Sequence, residues 1–118
     1  MAPPEFRKIK DDAELQDRLV KAVKETDQRV AKDPADPILS SFQAQLEAIG
    51  KWTANGRTPL PDEVRSLTLG LVAMREYEGP EPEYSFLLQS ISGYIKLRAG
   101  ISIHQVVLGK KKPPSTTP

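Results

Sequence analysis

The chain has 118 residues, 38% of them apolar and 28% charged, with no cysteine, one histidine and a net charge of +1. That describes a single soluble globular domain with enough chain to bury a core without staples, and it excludes disulfide and thiolate chemistry. The charge is uneven: Arg7, Lys8 and Lys10 outweigh Glu5 by two, Lys110, Lys111 and Lys112 add three, and residues 11–109 are left at −4, which argues against a basic nucleic-acid-binding face on the body.

Residues 1–10, MAPPEFRKIK, carry charges without the apolar run of a secretory signal. They read as a flexible N-terminus from which Phe6 and Ile9 could dock, and a cytoplasmic location is the expectation. The first helix is expected over Asp12–Lys32. Asp11 and Glu14 have capping-box spacing, and Leu15, Leu19, Ala22, Val23, Thr26 and Val30 form one stripe. Asp33-Pro34 stops it, because the proline ring disfavours helical geometry at the preceding residue.

Asp36-Pro37 opens the second helix as an N-cap followed by proline at the first helical position. Its apolar face is Ile38, Leu39, Phe42, Leu46 and Ile49, and Asn55-Gly56 supplies the stop. The third is expected over 61–78, starting on Pro61-Asp62-Glu63, whose carboxylates suit the positive end of the helix dipole. Leu67, Leu71 and Met74 share one face there, and Leu69, Val72 and Ala73 cover much of the rest. A helix apolar on several sides is expected at the centre of its bundle.

Gly79-Pro80 breaks that helix, and Glu81-Pro82-Glu83 opens the fourth. Its stripe is Tyr84, Leu87, Leu88, Ile91, Tyr94 and Ile95, and Gly100 closes it. Beyond it the period changes: Ile101 and Ile103 alternate with Ser102 and His104, giving either a short extended segment over the bundle or one more helical turn. Residues 110–118 have nothing to bury and read as a disordered tail. The expected fold is therefore all-α, an antiparallel bundle of four helices with a short extended C-terminal segment, built from one helical domain over 11–109.

The residues offer little for catalysis. One histidine and no thiol leave any metal to carboxylates alone, the glycines are scattered singly, and no serine sits in a recognisable nucleophile motif. Neither a cofactor nor an enzymatic activity is expected. Glu76, Glu78, Glu81 and Glu83 crowd around Gly79-Pro80. They either cap and solvate a helix–helix turn or form an anionic protrusion that docks into a cationic cleft. Gly70, within a helix at a cost of roughly 1 kcal/mol against alanine, points to close helix–helix approach. Trp52 and Tyr77, near helix ends, are core-edge residues or interface anchors.

One run carries a family likeness: Arg65-Ser66-Leu67-Thr68-Leu69-Gly70-Leu71-Val72-Ala73-Met74-Arg75-Glu76-Tyr77-Glu78, followed by Glu81, Pro82 and Glu83. Ile38-Leu39-Ser40-Ser41, Gln45-Leu46 and Ile49 extend it upstream, and Leu87-Leu88, Tyr94 and Gly100 downstream. The chain thereby resembles the small helical immunity proteins that neutralise NAD(P)+ glycohydrolase effectors of bacterial type VI secretion. It departs from them in a longer charged N-terminus, a polar insertion over 54–61 and a lysine–proline tail.

The resemblance implies a stoichiometric inhibitor that covers the NAD-binding cleft of a cognate toxin domain, with a Kd of about 1 nM or below. Such a cleft accepts a pyrophosphate and should be cationic, so Glu76, Glu78, Glu81 and Glu83 are the expected contacts, with Tyr77 and Trp52 as anchors. No nucleic acid and no membrane are implied as partners. The competing classes are a helical scaffold or regulatory interaction module, and a nucleic-acid binder working through its basic tail.

Overall fold

The computed structural model describes residues 8–100, and every regular element among them is helical. α1 covers Asp12–Lys32, α2 Pro37–Trp52, α3 Pro61–Arg65, α4 Leu69–Tyr77 and α5 Pro82–Arg98, with a 3-10 turn at Ala54–Gly56. The expected all-helical bundle is present. The expected C-terminal segment at 101–108, His104, Phe6 and the lysine tail lie outside the described residues.

The helix starts follow from local chemistry. The Asp11 carboxylate accepts the Glu14 N–H at 2.9 Å, satisfying a donor that the first turn leaves without a partner. Asp36 accepts the N–H of Ile38 at 2.8 Å, ahead of a helix whose first residue is proline. α2 stops where Asn55 and Gly56 both turn to positive φ, 58° and 78°, the left-handed region that asparagine and glycine tolerate best.

The third expected helix is two helices. A break over 66–68 separates α3 from α4, and a side chain from α2 accounts for it. Gln45 Oε1 accepts the N–H of Thr68 and of Leu69, each at 2.9 Å. Its Nε2 donates to Thr68 Oγ1 at 3.0 Å. These bonds satisfy two donors that a continuing helix would have bonded internally, so α4 starts afresh at Leu69.

α5, and not the segment around Leu69, is the central helix. It packs against α1, α3 and α4, and it buries Tyr84, Leu87, Leu88, Ile91 and Ile95 together with Ser85 and Ser92. The two serines face α4 and keep it close. A Cβ placed on Gly70 would stand 3.0 Å from Cβ and Oγ of Ser92, and Ser85 Oγ donates to the carbonyl of Ala73 at 2.8 Å. Gly70 therefore serves close approach, as its position within a helix suggested.

The core combines Leu15, Leu19 and Ala22 of α1 with Leu39, Phe42, Leu46 and Ile49 of α2. Val64, Leu67, Leu69 and Ala73 close it from the other side, and Ile9 docks onto it from ahead of α1. Each fully buried Leu or Phe side chain contributes about 1.5–3 kcal/mol of transfer free energy. Two expectations fail here. Leu71 and Met74, read as core, are 56% and 46% exposed, because α4 turns Leu69, Ala73 and the flanks of Val72 and Tyr77 inward. Val23 of the α1 stripe is exposed in the same way.

Candidate partner-binding site at the α4–α5 junction

α4 hands over to α5 through a tight turn in which the N–H of Glu81 donates to the carbonyl of Tyr77 at 2.8 Å. Gly79 and Pro80 form its exposed tip. Pro82 occupies the first turn of α5 with Glu83 beside it, where a carboxylate is favoured by the helix dipole. Four carboxylates are thus gathered at one end of the bundle, but they are not equivalent.

Glu81 is tied down. Arg29 of α1 grips it with both terminal nitrogens, Nη1 to Oε2 at 2.8 Å and Nη2 to Oε1. Nη2 also donates to Glu25 at 3.0 Å, and the guanidinium carbon lies 4.0 Å from the centre of the Tyr84 ring. The arginine holds the Glu81 carboxyl below its ordinary range, and Glu81 in turn raises Arg29. The turn itself contains no cation, as its sequence says; the balancing charge arrives from a helix more than fifty residues earlier in the chain.

The remaining acids look outward. Glu78 is exposed and touches Gln89 Nε2 only at 3.5 Å. Glu76 is exposed beside Arg75, 3.6 Å away. Glu83 is exposed and has no ion pair among the described residues. Negative potential at this end of the molecule therefore comes mainly from Glu76, Glu78 and Glu83.

Tyr77 lies below them as a packing residue. It is half-buried, 5.4 Å edge-on to Tyr84 and 5.9 Å from Phe42. Desolvation, aided by the Asp36 charge, raises its phenol. Tyr84 beneath it hydrogen-bonds Thr26 Oγ1 at 2.7 Å, and burial pushes its phenol up to about 12. This trio fixes the ends of α4 and α5 against α1 and α2.

Trp52 is not brought to this site. It is half-buried at the C-terminal end of α2, where its carbonyl accepts from Arg57 at 3.1 Å. Ten residues of helix, about 15 Å, separate it from Phe42 and the tyrosines.

What sequence reasoning missed is the outward face of α4. Leu71 and Met74 stand one helical turn apart beside Glu78, and they are exposed. No local signal marked it: Thr68 precedes α4 without a side-chain cap bond of its own, and the break in the run read as continuous comes from Gln45 of α2. Open grooves lie elsewhere on the described surface. One of about 460 Å³ lies between α1 and the start of α5 and is lined by Lys21, Arg29, Glu25, Glu81 and Tyr84. Another of about 870 Å³ lies between α1 and α2, with Val20 and Val23 on its rim. The first mixes charges of both signs, which gives an anionic ligand no net attraction.

Among the described residues no group of three His, Cys, Asp or Glu side chains could hold a metal ion, and no helix is long and apolar enough to cross a membrane. A family model described as Tsi6 matches residues 14–96, from the first turn of α1 to the last turn of α5. No curated protein and no solved structure matches the chain.

Proposed function

The chain belongs to the Tsi6 family of type VI secretion immunity proteins, and from that membership we propose that it neutralises an NAD(P)+-hydrolysing toxin by binding it one-to-one and covering its active site. The observation that carries the reading is the family match, which spans all five helices. The NAD-hydrolase identity of the toxin rests on the resemblance of the 65–83 run to inhibitors of such effectors.

The physical case concerns complementarity. A cleft that binds a dinucleotide must hold two phosphates and therefore presents positive potential. Glu76, Glu78 and Glu83 are exposed at one end of a rigid bundle, which suits them to such a cleft. Opposed potentials steer association and speed it. Glu81 contributes less directly, by locking the turn through Arg29, and Tyr77 supports it from beneath. The inhibitor acts by occupancy and needs no catalytic group of its own, and it works in the cytoplasm, where the NAD+ pool is.

The experiment is co-expression with the effector encoded beside this chain. Growth should be restored, and the two proteins should co-purify at one-to-one stoichiometry. Growth arrest that persists despite abundant folded inhibitor would reject the reading.

A further inference from the structure

We propose that the open groove between α1 and α2 is the seat of this chain's own C-terminal segment, Ile101 to Leu108, which straps the first helical hairpin to the end of α5. The segment lies outside the described residues. The proposal stands apart from the toxin-binding reading and leaves the acidic α4–α5 turn free.

The groove has about 870 Å³ of room and is lined by Leu19, Val20, Val23, Leu46 and Gly50 among others. Val20 is 70% exposed and Val23 36%, so apolar surface stands open between two helices. Gly50 keeps it open, since a Cβ there would stand 3.8 Å from Leu19 Cδ2. The exposed pair on α4, Leu71 and Met74, lies on the outer side of a single helix. A segment in the groove is contacted from both walls and buries more apolar surface per residue. Ile101, Ile103, Val106, Val107 and Leu108 are the apolar residues to fill it.

The end of α5 brings the chain to the groove. Arg98 Nε donates to Asp12 Oδ1 at 3.0 Å, and Gln16 Nε2 donates to Thr53 Oγ1 at 3.2 Å. The last turn of α5, the start of α1 and the end of α2 therefore share one end of the bundle. Gly100 follows at φ 86°, a left-handed cap that turns the chain off the helix axis.

Leu19 lies about 10 Å along α1 from Asp12, and one helix spacing adds about 8–10 Å sideways. The direct path of about 14 Å takes roughly four extended residues. Ile103 then reaches the mouth of the groove, and Val106, Val107 and Leu108 extend over Val23 and Leu46. Lys110, Lys111 and Lys112 arrive where α1 ends, and there Asp27, Asp33 and Asp36 outnumber Lys32. Opposite charge favours that direction. A tethered segment meets the groove at an effective concentration on the order of millimolar, which a second copy would have to match to displace it.

The test uses the full chain, whose lack of cysteine makes introduced thiols the only ones present. V23C is combined in turn with I103C, V106C, V107C and L108C, and L71C with the same four as controls. Under mild oxidation at least one V23C pair should close an intramolecular disulfide about tenfold faster or more than its L71C counterpart. In a second measurement, I103S/V107S should lower the melting temperature by about 3 °C or more, and the drop should shrink in a V20S/V23S background. V23C pairs that close no faster than the L71C pairs, or disulfides that form mainly between molecules, would overturn the assignment. So would a melting temperature that I103S/V107S leaves unmoved.

Discussion

Thr26 of α1 and Tyr84 of α5 share a 2.7 Å hydrogen bond between their hydroxyls inside the core. Both groups are buried, so each would be left without water if its partner were removed. Thr26→Val or Tyr84→Phe alone should each cost about 1–3 kcal/mol. The double variant should cost clearly less than the sum of the two, because two apolar groups then face each other. Urea denaturation of the four proteins reads this coupling; strictly additive losses would mean the bond contributes nothing.

The exposed and buried leucines of α4 separate cleanly. Leu69→Ala, at a fully buried position, should cost about 2–5 kcal/mol through the cavity it leaves. Leu71→Ala, two residues on and exposed, should change stability by about 0.5 kcal/mol or less. Equal losses at the two positions would contradict the orientation of α4.

How much of this was legible in the sequence differs by element. The stripes of α1, α2 and α5 could be read because each helix is continuous and its period survives over several turns. The stops at Asp33-Pro34, Asn55-Gly56 and Gly79-Pro80 could be read because they act locally. The break before α4 could not, since the agent is Gln45, more than twenty residues earlier in the chain. Once the break was missed, Leu67, Leu71 and Met74 fell on one imaginary face, and the exposed pair was assigned to the core. The acidic turn was visible as composition, but the pairing of Glu81 with Arg29 depends on how α1 lies across α5, which no local pattern encodes.

The pH dependence has two limbs with opposite causes. Burial pushes Tyr84 up to about 12, and burial with the adjacent Asp12 carboxylate does the same to Tyr94. The neutral phenols are the form that the fold favours, so their contribution is full below about pH 10, the unfolded value, and is lost as pH rises toward 12. Asp12 is held below its ordinary range by Tyr94 and Arg98, and Glu81 by Arg29. Their contribution is present above the ordinary carboxylate range and is lost as pH falls below it. Absorbance titration of the phenols should show them resisting ionisation at pH 10 while the helical signal is intact. Ordinary titration of all three tyrosines in folded protein would contradict the packing described.

The two kinds of glutamate at the α4–α5 turn should respond differently to charge reversal. Glu76→Lys with Glu78→Lys should leave the melting temperature nearly unchanged, since both are exposed, and should slow toxin association with a weakened salt dependence. Glu81→Lys should lower stability by about 1–2 kcal/mol, because it breaks the Arg29 grip and sets two cations together. Stopped-flow association and thermal melting distinguish them. Unchanged association rates in the first variant would leave the exposed acids with a capping and solvating role alone.

The central claim, one-to-one neutralisation of an NAD(P)+-hydrolysing toxin, is tested most directly by titrating the purified chain into a fixed concentration of the toxin encoded beside it and following NAD+ consumption. With toxin well above a Kd of about 1 nM, activity should fall linearly to zero and reach its end point near one equivalent, and the chain alone should consume no NAD+. A shallow curve without a stoichiometric end point, residual turnover at saturation, or a toxin that does not hydrolyse NAD(P)+ at all would contradict it.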